Sequence, residues 1–161
     1  MLRLRPCPCG PGGREGVEYD RYGSPDMFWV GEVPAPSPAA GEQRVKVAAT
    51  SVNLTYWERL RGSPAYARIG WLRSPACRIL GSDIAGVVDH VGERVTRFRS
   101  GDDVFGDNLA LKGGFAEYTI APESALAHKP VQLSFVEAST IPQAGAIAMQ
   151  GRRGQERLAG C

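Results

Sequence analysis

The segment Ser51-Val52-Asn53-Leu54-Thr55-Tyr56-Trp57 brings together the polar groups best suited to chemistry in this chain. A carboxamide at Asn53 can donate to a carbonyl oxygen, and hydroxyls at Thr55 and Tyr56 can complete that oxygen's hydrogen bonds. The same asparagine suits the cap of a helix that begins just after it, a purely structural task. On the residues alone both readings stand. Trp57 reads as a core aromatic. Metal chemistry has weaker support, because Cys7, Cys9, Cys77 and Cys161 do not form the paired Cys-x2-4-Cys spacing of a structural zinc site. They read as reduced thiols, and His90 and His128 as surface or half-buried side chains.

The elements that must carry this segment are strands. Gln43 to Ser51 alternates, with Val45, Val47 and Ala49 on one face and Arg44, Lys46 and Ala48 on the other. Two more strands, Ile84 to Val91 and Asp103 to Phe105, flank a turn-rich link carrying Gly92 and Gly101. Gly81, Gly86, Gly92, Gly101 and Gly106 mark places where backbone turns tightly or is closely approached. Before them, Val17 to Tyr22 and Met27 to Val33 read as a hairpin around Gly23-Ser24-Pro25-Asp26, and Pro34 to Gly41 as an extended connection excluded from any central strand. Residues 63–78 read as a loop with helical turns whose arginines, Arg68, Arg73 and Arg78, could face an anionic phosphate but fit a solvated loop better. Further on, Ser134 and Glu137 form a capping box, and Ile141-Pro142 opens a helix through Met149.

Composition sets the outer limits. With 161 residues, 43% of them hydrophobic, the chain has the size of one ordinary domain. Its 20 glycines and 12 prolines suit a turn-rich β protein better than a helical bundle. A net charge of +2, from 19 basic and 17 acidic residues, argues against nucleic acid or an anionic membrane surface as partner. No apolar run approaches the roughly 18 residues that a membrane helix requires. Residues 1–16 lack apolar periodicity and are expected to be a disordered lead-in.

Read together, Gly81-Ser82-Asp83, Ala85-Gly86-Val87-Val88, Val91-Gly92, Val95, Phe98 and Gly101-Asp102-x-Val104-Phe105-Gly106 fall in a register that resembles the medium-chain dehydrogenase/reductase superfamily. The zinc-independent quinone oxidoreductase-like branch fits best. Tyr19-x-x-Tyr22-Gly23-x-Pro25-Asp26, Ser51-Val52-Asn53, Arg61-Gly62, Gly113-Gly114-x-Ala116-Glu117-Tyr118 and Leu126-x-x-Lys129-Pro130 extend the resemblance over residues 17–151. It implies a mainly β fold with short helices: a partly open β-barrel of the chaperonin-10 (GroES)-like kind, of about seven short strands. In zinc-dependent relatives Asn53 is a metal-binding cysteine, Ser82 a histidine, and the third metal position falls near Gln143. The resemblance thus implies a site without zinc. Asn53, Thr55 and Tyr56 would be catalytic there, and Asn53 and Gln143 cofactor-binding, with Asp83 a buried structural carboxylate behind them. Leu54 and Tyr56 depart from the proline and the acidic residue common at their positions, so the substrate pocket is expected to differ from the usual one.

The implied activity is NADPH-dependent reduction of a quinone, enone or other small carbonyl substrate, in the cytoplasm. No Gly-x-Gly-x-x-Gly occurs, so its dinucleotide (Rossmann) domain is expected to be lacking here, with residues 152–161 an atypical tail in its place. An alternative is a non-catalytic barrel with a binding or regulatory role. The helices after Leu133 are expected to expose an apolar face that favours self-association.

Overall fold

The computed structural model describes residues 9–68, 75, 78–108 and 113–159. Cys7, Cys77, Cys161, Arg73 and the segment before Cys9 lie outside the described residues. Among the described residues seven strands form two antiparallel sheets. Strands β1 (Cys9–Glu18) and β2 (Trp29–Pro36) make the first sheet. The second has the order β6-β3-β4-β5-β7, with β3 at Glu42–Thr50, β4 at Asp83–Val91, β5 at Asp103–Asp107, β6 at Tyr118–Pro122 and β7 at Leu126–His128. Single bridges, Gly16 to Ala116 and Glu18 to Ile79, join β1 to the rest, so the barrel is partly open, as the resemblance implies.

The described residues also form three α-helices: α1 (Leu54–Arg61), α2 (Phe135–Ser139) and α3 (Pro142–Ala159). Asn53 caps α1 by accepting from the Thr55 N–H at 3.1 Å, an interaction worth about 1 kcal/mol. Gly62 ends that helix in the left-handed region, at φ 60°. The Ser134–Glu137 capping box opens α2 as expected.

Alternation on β3 places Gln43 and Val45 inside and Lys46 outside. Val45 joins Ile84, Val88, Phe98, Val104, Ala121 and Leu126 in the main core. A second cluster of Tyr19, Tyr56, Leu60 and Leu80 lies beneath α1, with Met27, Phe28 and Phe115 against it.

The N-terminal hairpin differs from the sequence expectation. Residues 9–16 belong to β1, so the disordered lead-in does not extend over them. Their glycines form strand because β2 supplies a partner: Gly13 faces Pro34, and Cys9 faces Pro36 past an irregularity. Ladder pairing overrides a low strand propensity here, and Pro34 and Pro36 sit on the kind of edge that tolerates proline. Pairing ends at Glu18 opposite Trp29, earlier than Tyr22. Tyr19 instead turns inward, 2% exposed, and its N–H donates to the Arg78 carbonyl at 2.9 Å. Met27 closes a short 3-10 turn rather than starting a strand. At the other end α3 runs beyond Met149 through Ala159, absorbing most of the tail that composition sets apart. Ala, Gln, Arg and Glu in that stretch are good helix formers.

Candidate active site

Asp83, the first residue of β4, is 2% exposed and gathers donors from three directions. Its Oδ2 accepts from Asn53 Nδ2 at 2.8 Å and from Ser51 Oγ at 3.2 Å, both on the link between β3 and α1. Oδ1 accepts the backbone N–H of Gln143, in the first turn of α3, at 2.9 Å. Thr50 Oγ1 adds a bond to the Asp83 carbonyl at 2.7 Å. One buried side chain thereby joins β3, α1, β4 and α3. The expectation of a structural carboxylate holding backbone amides is met in Gln143.

Burial pushes the Asp83 carboxyl up from its ordinary value, because the charged form loses water. The three hydrogen bonds oppose that rise, and the like charge of Asp107 adds to it. Asp107 lies directly across the β4–β5 ladder from Asp83.

The Asp83 carboxylate also fixes the Asn53 amide. With its oxygen on the Thr55 N–H and one amide hydrogen on Asp83, Asn53 has a defined orientation and one N–H to spare. Capping and a polar binding role are therefore compatible in this residue. Thr55 Oγ1 donates to Gln143 Oε1 at 3.4 Å, so the Asn53, Thr55 and Gln143 side chains stand together, each half-buried.

Tyr56 does not join them. It is 2% exposed, edge-on to Phe115 at a ring separation of 5.3 Å, and its hydroxyl oxygen accepts from the backbone N–H groups of Ser82 and Asp83. A bond between the Tyr56 hydroxyl and Ser82 Oγ completes the arrangement. The opening for this oxygen comes from Gly81 at φ 97°, which aims both N–H groups at one point. A Cβ there would meet the Phe115 backbone nitrogen at 2.6 Å. Trp57, expected in the core, is 43% exposed, with the Arg61 guanidinium 5.2 Å from its ring centroid. His90 and His128 lie on the surface.

Sequence reasoning did not find the roles of Ser51 and Asp107. Antiparallel pairing of the two strands flanking the turn would have brought Asp107 opposite Asp83. No local signal singles out Ser51.

The alcohol dehydrogenase GroES-like domain model matches residues 39–131, more than half of the chain. The chain belongs to the medium-chain dehydrogenase/reductase superfamily. Its similarity to the superfamily's quinone oxidoreductases is both sequential and structural. Identity is 39% over 140 residues to the dehydrogenase pigH of Monascus ruber, covering 82% of this chain and 37% of that protein. It is 36% over 135 residues to the chloroplastic quinone-oxidoreductase QR1 of Triphysaria versicolor, covering 82% and 40%. The solved quinone oxidoreductase of Coxiella burnetii superposes with a TM-score of 0.83 at 26% identity, over 90% of this chain and 46% of that one. This chain thus spans less than half the length of these relatives.

Within the superfamily frame, Tyr56 and Ser82 are both departures, one from the common acidic residue and one from the histidine of zinc-dependent relatives. They touch each other. The donors at Asn53, Ser82 and Gln143 are carboxamides and a hydroxyl, which suit carbonyl and amide groups better than zinc. Among the described residues no helix is long and apolar enough to cross a membrane.

Proposed function

We propose that this chain is the substrate-side, zinc-independent portion of an NADPH-dependent reductase acting on a quinone, enone or other small carbonyl compound. The single observation that carries this reading is the Asn53 amide, held rigid by Asp83 with one N–H uncommitted, beside the Thr55 hydroxyl and the Gln143 carboxamide.

These groups fit the nicotinamide carboxamide, which offers an acceptor and two donors, and they fit a substrate carbonyl. NADPH supplies a hydride when bound. Asn53 and Gln143 would hold the carboxamide of the nicotinamide. Thr55 would turn its one hydroxyl hydrogen from Gln143 Oε1 to the carbonyl oxygen of the substrate as negative charge develops there. Tyr56 acts from behind, keeping the turn at Gly81 and the start of β4 in place. Because the relatives are more than twice as long, full turnover is proposed for a polypeptide containing more than these residues.

Titration of the purified chain with NADPH, followed by tryptophan fluorescence, tests this. Saturable quenching at micromolar NADPH, lost in Asn53→Ala, is the expected result. No change up to millimolar NADPH would overturn cofactor binding by this chain and favour the non-catalytic barrel.

A further inference from the structure

Asp83 has a feature that the proposed reaction does not use: its two oxygens serve different parts of the molecule. Oδ2 holds the Asn53 amide and Oδ1 holds the first turn of α3. Beyond that turn, residues 146–152 are all exposed, so over this stretch α3 is secured at its beginning. Opposite Asp83 on the ladder, Asp107 has its Oδ1 buried with no hydrogen-bond partner. The like charge of Asp107 across the ladder disfavours the charged form of Asp83.

We propose that Asp83 is a positioning residue: as a carboxylate it holds the Asn53 amide and the start of α3 as one unit, and a proton taken up by Asp83 loosens both together. This rests on the reading of Asn53 as a binding group.

The linkage follows from donor and acceptor counts. Three donors converge on Asp83, and an ionised carboxylate accepts all of them. A protonated acid has one weaker acceptor oxygen and an O–H of its own among those donors. Seen from each packed element, Asp107 on β5 is the charged group that faces Asp83. Ser51 and Asn53 come from the β3–α1 link, Tyr56 from α1 and Gln143 from α3, all neutral. Burial first, and the Asp107 charge with it, push this titration up from the ordinary aspartate value.

A pH titration of the whole 15N-labelled chain by NMR tests the proposal without cofactor or substrate. The Asn53 side-chain amide and the Gln143 backbone amide are expected to move with one common midpoint above that of an exposed aspartate. The Asn108 side-chain amide, which donates to the Ile120 carbonyl at 2.6 Å, is expected to stay still. In Asp107→Asn the common midpoint falls, and in Asp83→Asn the transition disappears from both signals. Separate midpoints, a transition surviving in Asp83→Asn, or an unmoved midpoint in Asp107→Asn would each overturn it. If Asp83→Asn fails to fold, the wild-type and Asp107→Asn titrations still decide. Loss of the common midpoint leaves the NADPH test of the proposed function standing. Failure of NADPH to bind leaves the proton linkage intact as a folding device without the binding role.

Discussion

The seam between β3, α1 and β4 and the helix α3 meet at Asp83, yet they are built on opposite principles. In the seam nearly every polar group is committed: Asn53, Ser51, Thr50 and Tyr56 each have a partner, and Ile84 just after Asp83 is 0% exposed. Over residues 146–152 of α3 the apolar side chains face outward, with Ile147 64% and Met149 48% exposed. The difference teaches where the architecture spends its order. It fixes the groups that would meet a ligand and leaves the outgoing helix anchored at one turn.

The contrast breaks most visibly under truncation. Ile84→Ala is expected to lower the unfolding free energy by about 3 kcal/mol in urea denaturation, whereas Ile147→Ala should change it by less than about 0.5 kcal/mol. Equal effects would mean that α3 is packed as tightly as the barrel. Gly81→Ala comes next, at about 2–3 kcal/mol, from the left-handed backbone and the approach of Phe115. Tyr56→Phe strands the Ser82 and Asp83 N–H groups in the core, for a loss of about 1–3 kcal/mol. A neutral Tyr56→Phe would show that water reaches those donors.

The smallest effect is in pH dependence. A carboxyl raised in the folded state favours folding below its unfolded value of 3.8, and that contribution is lost as pH rises through the folded value. The wild type should therefore lose stability relative to Asp83→Asn over that interval, measured as the difference between their melting curves. Glu123 and Glu137 act in the reverse sense, held low chiefly by the Arg97 and Ser134 backbone N–H groups. Their contribution is present above the unfolded value and is lost as pH falls through the folded one. Glu123→Gln and Glu137→Gln should flatten that acid limb.

Much of the seam was legible in the sequence because its signals are local. Alternation gave β3, Asn53 marked the cap of α1, and Ser134 with Glu137 announced α2. The N-terminal hairpin was less legible, since the strand at residues 9–16 exists through pairing with β2 and carries no apolar period of its own. At the site, Asn53, Thr55 and Gln143 were named and stand together, while Tyr56 was named and lies buried. A hydroxyl beside a candidate site looks the same in a sequence whether it faces a ligand or the core. What turned Tyr56 inward is a nonlocal pair of N–H groups after Gly81, which no spacing within residues 51–57 encodes.

The central claim is that the groups assembled on Asp83 are the ligand-binding face of a reductase domain. Mapping NADPH-induced shifts of the side-chain amides of Asn53 and Gln143 in the 15N-labelled chain tests it most directly. The account predicts saturable shifts at these two side chains, weakened in Asp83→Asn. Shifts confined to other surfaces, or none up to millimolar NADPH, would contradict it.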